Sequence, residues 1–125
     1  MPKLRWVGLA DDFSALVTDL LGPSLTDLLA YCGGRFSLKT VLMIADQAIE
    51  RLAWIHRKGY LHRDVKPTNF CFGAGSYRSV LHVIDMGLAK SWERAINDRE
   101  HDQRRRGFCG TTEFASINAH YATGL

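Results

Sequence analysis

Apolar positions along the chain come first in short runs and then at helical steps. Leu4 to Leu9 and Ser14 to Leu20 are two such runs flanking the turn formers Ala10-Asp11-Asp12, which predicts a pair of strands. Gly22-Pro23 reads as the end of the second strand. Ser24 then stands as the N-cap of a short helix reaching about Cys32, with Leu25, Leu28 and Leu29 on one face. Gly33-Gly34 breaks that helix. Ser37 caps the longest element, which is expected to reach Lys58 and to stop at Gly59. At a rise of 1.5 Å per residue, its roughly twenty-two residues make a rod of about 33 Å. Leu38, Leu42, Ala45, Ile49, Leu52 and Ile55 recur at steps of three and four, predicting one apolar stripe. Met43, Ile44, Ala48, Ala53 and Trp54 widen it, which points to burial on more than one side. Beyond the helix, Phe70 to Phe72 and Val80 to Ile84 read as short strands, with a turn at Gly73-Ala74-Gly75-Ser76. From Ser91 to Phe108 the sequence is polar and without period, as in a long surface segment.

Composition narrows this picture little. A chain of 125 residues is one domain's worth or less, and 46% hydrophobic with 23% charged residues describes a globular segment. The net charge of +3 is too mild to argue for nucleic acid. Arg104-Arg105-Arg106, with Arg99 upstream, is the one basic concentration and reads most simply as a solvated loop. Cys32, Cys71 and Cys109 are odd in number and contain no C-x-x-C, which suits a reducing compartment and the cytoplasm, with the nucleus also open. No signal-peptide pattern and no run near eighteen apolar residues is present, so no membrane partner is expected.

The chemistry concentrates in His62-Arg63-Asp64-Val65-Lys66-Pro67-Thr68-Asn69, followed by Asp85-Met86-Gly87 at the end of a strand. Phosphoryl transfer needs a carboxylate to orient the attacking hydroxyl, a cation on the transferred phosphate, and oxygen ligands for the metal that bridges the phosphates. On one short loop Asp64 can supply the first, Lys66 the second and Asn69 a metal oxygen, while Asp85 offers the other metal carboxylate. His, Asp and Asn are also ordinary turn formers. Four fixed spacings together, on a loop leading into a hairpin, make the set resemble the catalytic loop of protein kinases.

Four passages carry the resemblance further, to the casein kinase I family of serine/threonine protein kinases and its tau-tubulin kinase branch. They are Leu20-Leu21-Gly22-Pro23-Ser24-Leu25, Phe36 to Leu42, His62 to Phe70, and Ala115-Ser116-Ile117-Asn118, where S-I-N stands in place of the A-P-E of most kinases. The resemblance implies an α+β, protein-kinase-like fold in truncated form, with small-lobe strands and hinge in residues 1–22 and a large-lobe fragment in residues 23–125. It implies ATP and Mg²⁺ as cofactors and a protein Ser/Thr side chain as acceptor. Thr18 would then be the gatekeeper, Asp19 to Leu21 the hinge, Cys71 the floor under adenine and Ile84 the wall behind it. Asp64 would be the catalytic base, Lys66 the γ-phosphate cation, Asn69 and Asp85 the Mg²⁺ ligands, and Thr111 a partner of Asp64 and Lys66. Three positions depart from the family. Met86 replaces the Phe of D-F-G as another large apolar filler. Cys71 stands for an aliphatic residue. Glu113 occupies a place where the family carries an anion-binding Arg, and is expected to repel a phosphate there.

No G-x-G-x-x-G loop and no V-A-I-K strand occurs in these 125 residues. The expectation is therefore a kinase segment that is inactive as an isolated polypeptide. A non-catalytic pseudokinase or interaction fragment is the alternative. A small-molecule phosphotransferase fits less well, because Arg63, Lys66 and Gly110-Thr111 are not its usual pattern.

Overall fold

The structure, a computed structural model, describes residues 1–93, 95 and 108–121. Arg99, Arg104 to Arg106 and most of the polar stretch after Ser91 lie outside the described residues. Strands β1 (Leu4–Ala10) and β2 (Phe13–Thr18) form an antiparallel hairpin. Asp11 turns it with φ of 52°, a left-handed conformation that Asp tolerates better than most residues.

Gly22 and Pro23 correct the sequence reading. Instead of ending a strand they lie inside β3 (Leu21–Ser24), which pairs antiparallel with β5 (Phe70–Gly73). The pairs are Leu21 with Gly73 and Ser24 with Cys71, and the register shifts between them. Proline has no N–H to give a ladder, so it is accommodated where the ladder is already interrupted. Gly22 is required by closeness, since a Cβ there would stand 2.9 Å from the Gly73 carbonyl oxygen. Strand β6 (Leu81–Val83) completes a three-stranded sheet in the order β3-β5-β6.

Helix α1 (Leu25–Tyr31) starts in a capping box. The Ser24 hydroxyl accepts from the Asp27 amide at 3.2 Å, and the Asp27 carboxylate accepts from the Ser24 amide at 2.9 Å. Such caps contribute about 1 kcal/mol. At the other end the Gly34 amide donates to the Leu29 carbonyl at 2.8 Å, with Gly33 and Gly34 both at positive φ. Helix α2 (Leu38–Arg57) has Ser37 as N-cap and Lys58 as C-cap, followed by Gly59 at φ 79°.

The buried face of α2 is rotated from the expected stripe. Ile55 is buried, and Ile44, Ala48 and Leu52 pack on the core of Leu25, Ile55, Phe70, Leu81 and Val83. Leu38, Leu42 and Ile49, read as part of the inward stripe, are 74%, 60% and 67% exposed. The reason is polar. Strand β6 is the edge of its sheet, and its backbone groups need partners. Gln47 donates to the Ser79 carbonyl and accepts from the Leu81 amide, and Arg51 donates to the Leu81 carbonyl. Both side chains must therefore face inward with Ile44 and Ala48. The widening residues Met43 and Trp54 are also exposed, so burial on more than one side does not hold among the described residues. No described helix is long and apolar enough to cross a membrane.

Three elements escaped the sequence reading. Strands β4 (Tyr60–Leu61) and β7 (Lys90–Ser91) pair antiparallel, and the Trp92 amide adds a bond to the Gly59 carbonyl at 2.8 Å. A short helix α3 (Ile117–His120), capped by Ser116, closes the described chain.

Candidate active site

The catalytic-type loop runs from β4 into β5, and a 3-10 turn at Pro67–Asn69 delivers Asn69 to the start of that strand. Phe70 pairs with Val83, and the Ile84 amide donates to the Asn69 carbonyl at 3.0 Å. The same hairpin end thus carries Asn69 on one side and Asp85 on the other. Backbone is held in uncommon conformations here, with φ of 66° at Arg63 and 62° at Asp85. Strain of this kind persists only where surrounding contacts fix it. At Arg63 the fixing contact is its Nε donating to the Leu88 carbonyl at 2.7 Å.

Asp64 is the hub, with only 6% of its surface exposed. Lys66 Nζ lies 2.8 Å from its Oδ2, and Asn69 Nδ2 donates to the same oxygen at 3.2 Å. The Thr111 hydroxyl donates to Oδ1 at 2.7 Å and accepts from Lys66 Nζ at 2.9 Å. Lysine and then Thr111 hold the Asp64 carboxyl below the usual carboxylate range, against the opposing effect of burial. It is therefore an ionised acceptor at neutral pH, suited to orienting a hydroxyl.

His62 and Gly110 were missed as structural contributors. His62 is 2% exposed, and its Nδ1 accepts from the Asp64 amide at 3.3 Å. An amide can only donate, so the ring proton sits on Nε2, which donates to the Ile84 carbonyl at 3.0 Å. One imidazole thereby fixes the loop to the residue before Asp85, just beyond β6. Gly110 has φ of 110°, and a Cβ there would stand 2.7 Å from the Arg63 carbonyl oxygen. Only glycine brings Thr111 this close to the loop. In the sequence, the signal was a glycine directly before the threonine.

Asp85 is exposed, and its Oδ1 accepts from the Gly87 amide at 3.1 Å. Asn69 points its amide nitrogen at Asp64, bonding both the carbonyl and the carboxylate, which turns its amide oxygen the other way. A carboxylate and an amide oxygen are hard donors that suit Mg²⁺ when the remaining ligands come from phosphate and water. No cluster of three or more His, Cys, Asp or Glu suited to a metal is present among the described residues. Met86 packs against the core, as expected of an apolar filler.

The remaining candidate residues lie at the end of β2, on β3 and β5, and just after β6. Cys71 is buried on β5 beside Ser24, and burial pushes its thiol up in pKa. Thr18 and Leu21 are half-buried at the crossing from β2 to β3, and Ile84 is half-buried after β6. Asp19 turns its side chain away to Arg5 Nε at 2.6 Å, and its amide donates to the Lys3 carbonyl at 3.0 Å. That amide is thus already used within the fold. Glu113 is exposed in the 3-10 turn Thr112–Phe114 that follows Thr111. The family model described as the protein kinase domain matches residues 6–118.

Proposed function

Because the chain belongs to the protein kinase domain family, we propose that its site is that of a serine/threonine protein kinase of the casein kinase I type. Such an enzyme moves the γ-phosphate of ATP to a protein hydroxyl. One observation carries the reading. The Thr111 hydroxyl lies between Asp64 and Lys66, joining a loop and a segment more than forty residues apart in sequence into one hydrogen-bonded group. Asp64 accepts from the acceptor hydroxyl and orients its oxygen toward the phosphate. Lys66 neutralises charge on the transferred group, and Thr111 holds both in register. Asn69 and Asp85 would hold Mg²⁺, which when bound offsets the charge of the phosphate oxygens. Thr18, Asp19, Leu21, Cys71 and Ile84 would surround the adenine, with Leu21 and the Asp19 carbonyl as the hinge groups. Serine/threonine choice is supported by Lys66 itself, and the casein kinase I assignment by the Ser116-Ile117-Asn118 passage.

The test is a chimera in which residues 1–125 replace the equivalent segment of a casein kinase I domain, so that a glycine-rich loop and strand lysine are supplied. Radiolabelled phosphate should pass to serine and threonine of casein, and Asp64→Asn should abolish it. Transfer to tyrosine, or transfer unaffected by Asp64→Asn, would overturn the reading.

A further inference from the structure

A cleft of about 370 Å³ opens between α1, the loop after it, the first turns of α2 and strand β5. It is small for a ligand site, at the low end of the roughly 300–1,000 Å³ usual for small-molecule pockets. Its floor is apolar. Leu28, Phe36, Ile44 and Phe72 converge there, and each remains half-buried, so water still reaches four apolar side chains in one place. Its rim is polar and cationic. Arg35 is exposed, has no hydrogen bond or ion pair among the described residues, and faces no acidic side chain in the lining. Cys32 forms part of the same wall.

The cleft stands apart from the catalytic group. Phe72 follows Cys71 on β5, and successive strand residues project to opposite faces. The cleft is therefore on the side of the strand away from Cys71. It is also open along one side. A free small molecule would leave one face in water, whereas a side chain presented by a polypeptide lying across the cleft is covered by its own backbone. We propose that this cleft docks a partner polypeptide presenting an aromatic or aliphatic side chain flanked by acidic residues. The apolar anchor covers Leu28, Phe36, Ile44 and Phe72, and a neighbouring carboxylate pairs with Arg35.

The probe is a fluorescent peptide alternating phenylalanine with glutamate, titrated with the whole chain at low concentration and read by anisotropy. A peptide with lysine in place of glutamate, and free phenylbutyrate as a competitor, complete the set. The glutamate peptide should bind, slow maleimide labelling of Cys32, and lose about fivefold or more in affinity with Arg35→Glu but little with Arg35→Lys. Arg35 is exposed, so these variants should keep the parent circular dichroism spectrum. Equal binding of the glutamate and lysine peptides, an unchanged Arg35→Glu variant, or unprotected Cys32 would each overturn the proposal. Competition by phenylbutyrate at a concentration comparable to the peptide's would also overturn it, in favour of a small-molecule site.

Discussion

Replacing Thr111 by Val isolates the bond that joins the two halves of the site. Valine keeps the β-branched shape and suits the extended backbone there, φ −97° and ψ 122°. It removes a hydroxyl that donates at 2.7 Å to a nearly buried carboxylate. Hydrogen bonds to charged groups contribute about 1.5–3 kcal/mol. Lys66 at 2.8 Å and Asn69 at 3.2 Å remain on the other oxygen, so the loss should fall near the lower end. The pH dependence separates this cause from simple packing. Asp64 has its carboxyl pKa lowered in the folded chain, first by Lys66 and next by Thr111. Its stabilisation is fully present above the unfolded value of about 3.9 and is lost as pH falls through the lower folded value. In the variant the folded value moves up toward the unfolded one, so less stabilisation remains to lose. Urea denaturation of both proteins at low concentration should show a gap at neutral pH that closes once Asp64 is protonated. Equal stability at neutral pH, or a gap that persists undiminished in acid, would refute the reasoning.

In the chimeric kinase, Asp85→Asn should remove most phosphate transfer while Met86→Phe retains it, because the first withdraws a metal-site charge and the second exchanges apolar fillers; equal damage from both would contradict these roles. Gly110→Ala should lower the urea midpoint more than Gly34→Ala, since both have positive φ but only Gly110 also meets a carbonyl oxygen, at 2.7 Å. The chain should self-associate with rising concentration in sedimentation velocity, and Leu42→Lys with Ile49→Lys should reduce this, because both side chains are exposed on α2; a parent chain that stays monomeric, or unchanged sedimentation of the variant, would contradict this.

The sequence was most informative where spacing alone determined chemistry. Lys66 and Asn69 lie within hydrogen-bond reach of Asp64 because a short loop leaves them few alternatives. Asp85 stands across the end of the hairpin with its carboxylate on the Gly87 amide. Caps at Ser24 and Ser37 were legible for the same local reason. The α2 face was not, since periodicity treats Gln47 and Arg51 as outward-facing, whereas the backbone of Leu81 draws both of them inward. Pro23 inside β3 was hidden because its tolerance depends on a partner strand almost fifty residues away. The roles of His62 and Gly110 rest on contacts to Ile84 and Arg63 that no local pattern encodes.

The two-residue pairing of Tyr60–Leu61 with Lys90–Ser91 encloses about thirty residues, among them Asp64, Lys66, Asn69 and Asp85. Closing a flexible loop of that length carries an entropic cost of about 3 kcal/mol. Few backbone bonds hold the closure, so it should open on its own, well before the core hairpin of β5 and β6 does. Amide hydrogen exchange at Leu61 and Trp92 would then act as a gauge of how often the four groups are assembled. Substrates or inhibitors that engage all of them should slow exchange at these two amides without touching either.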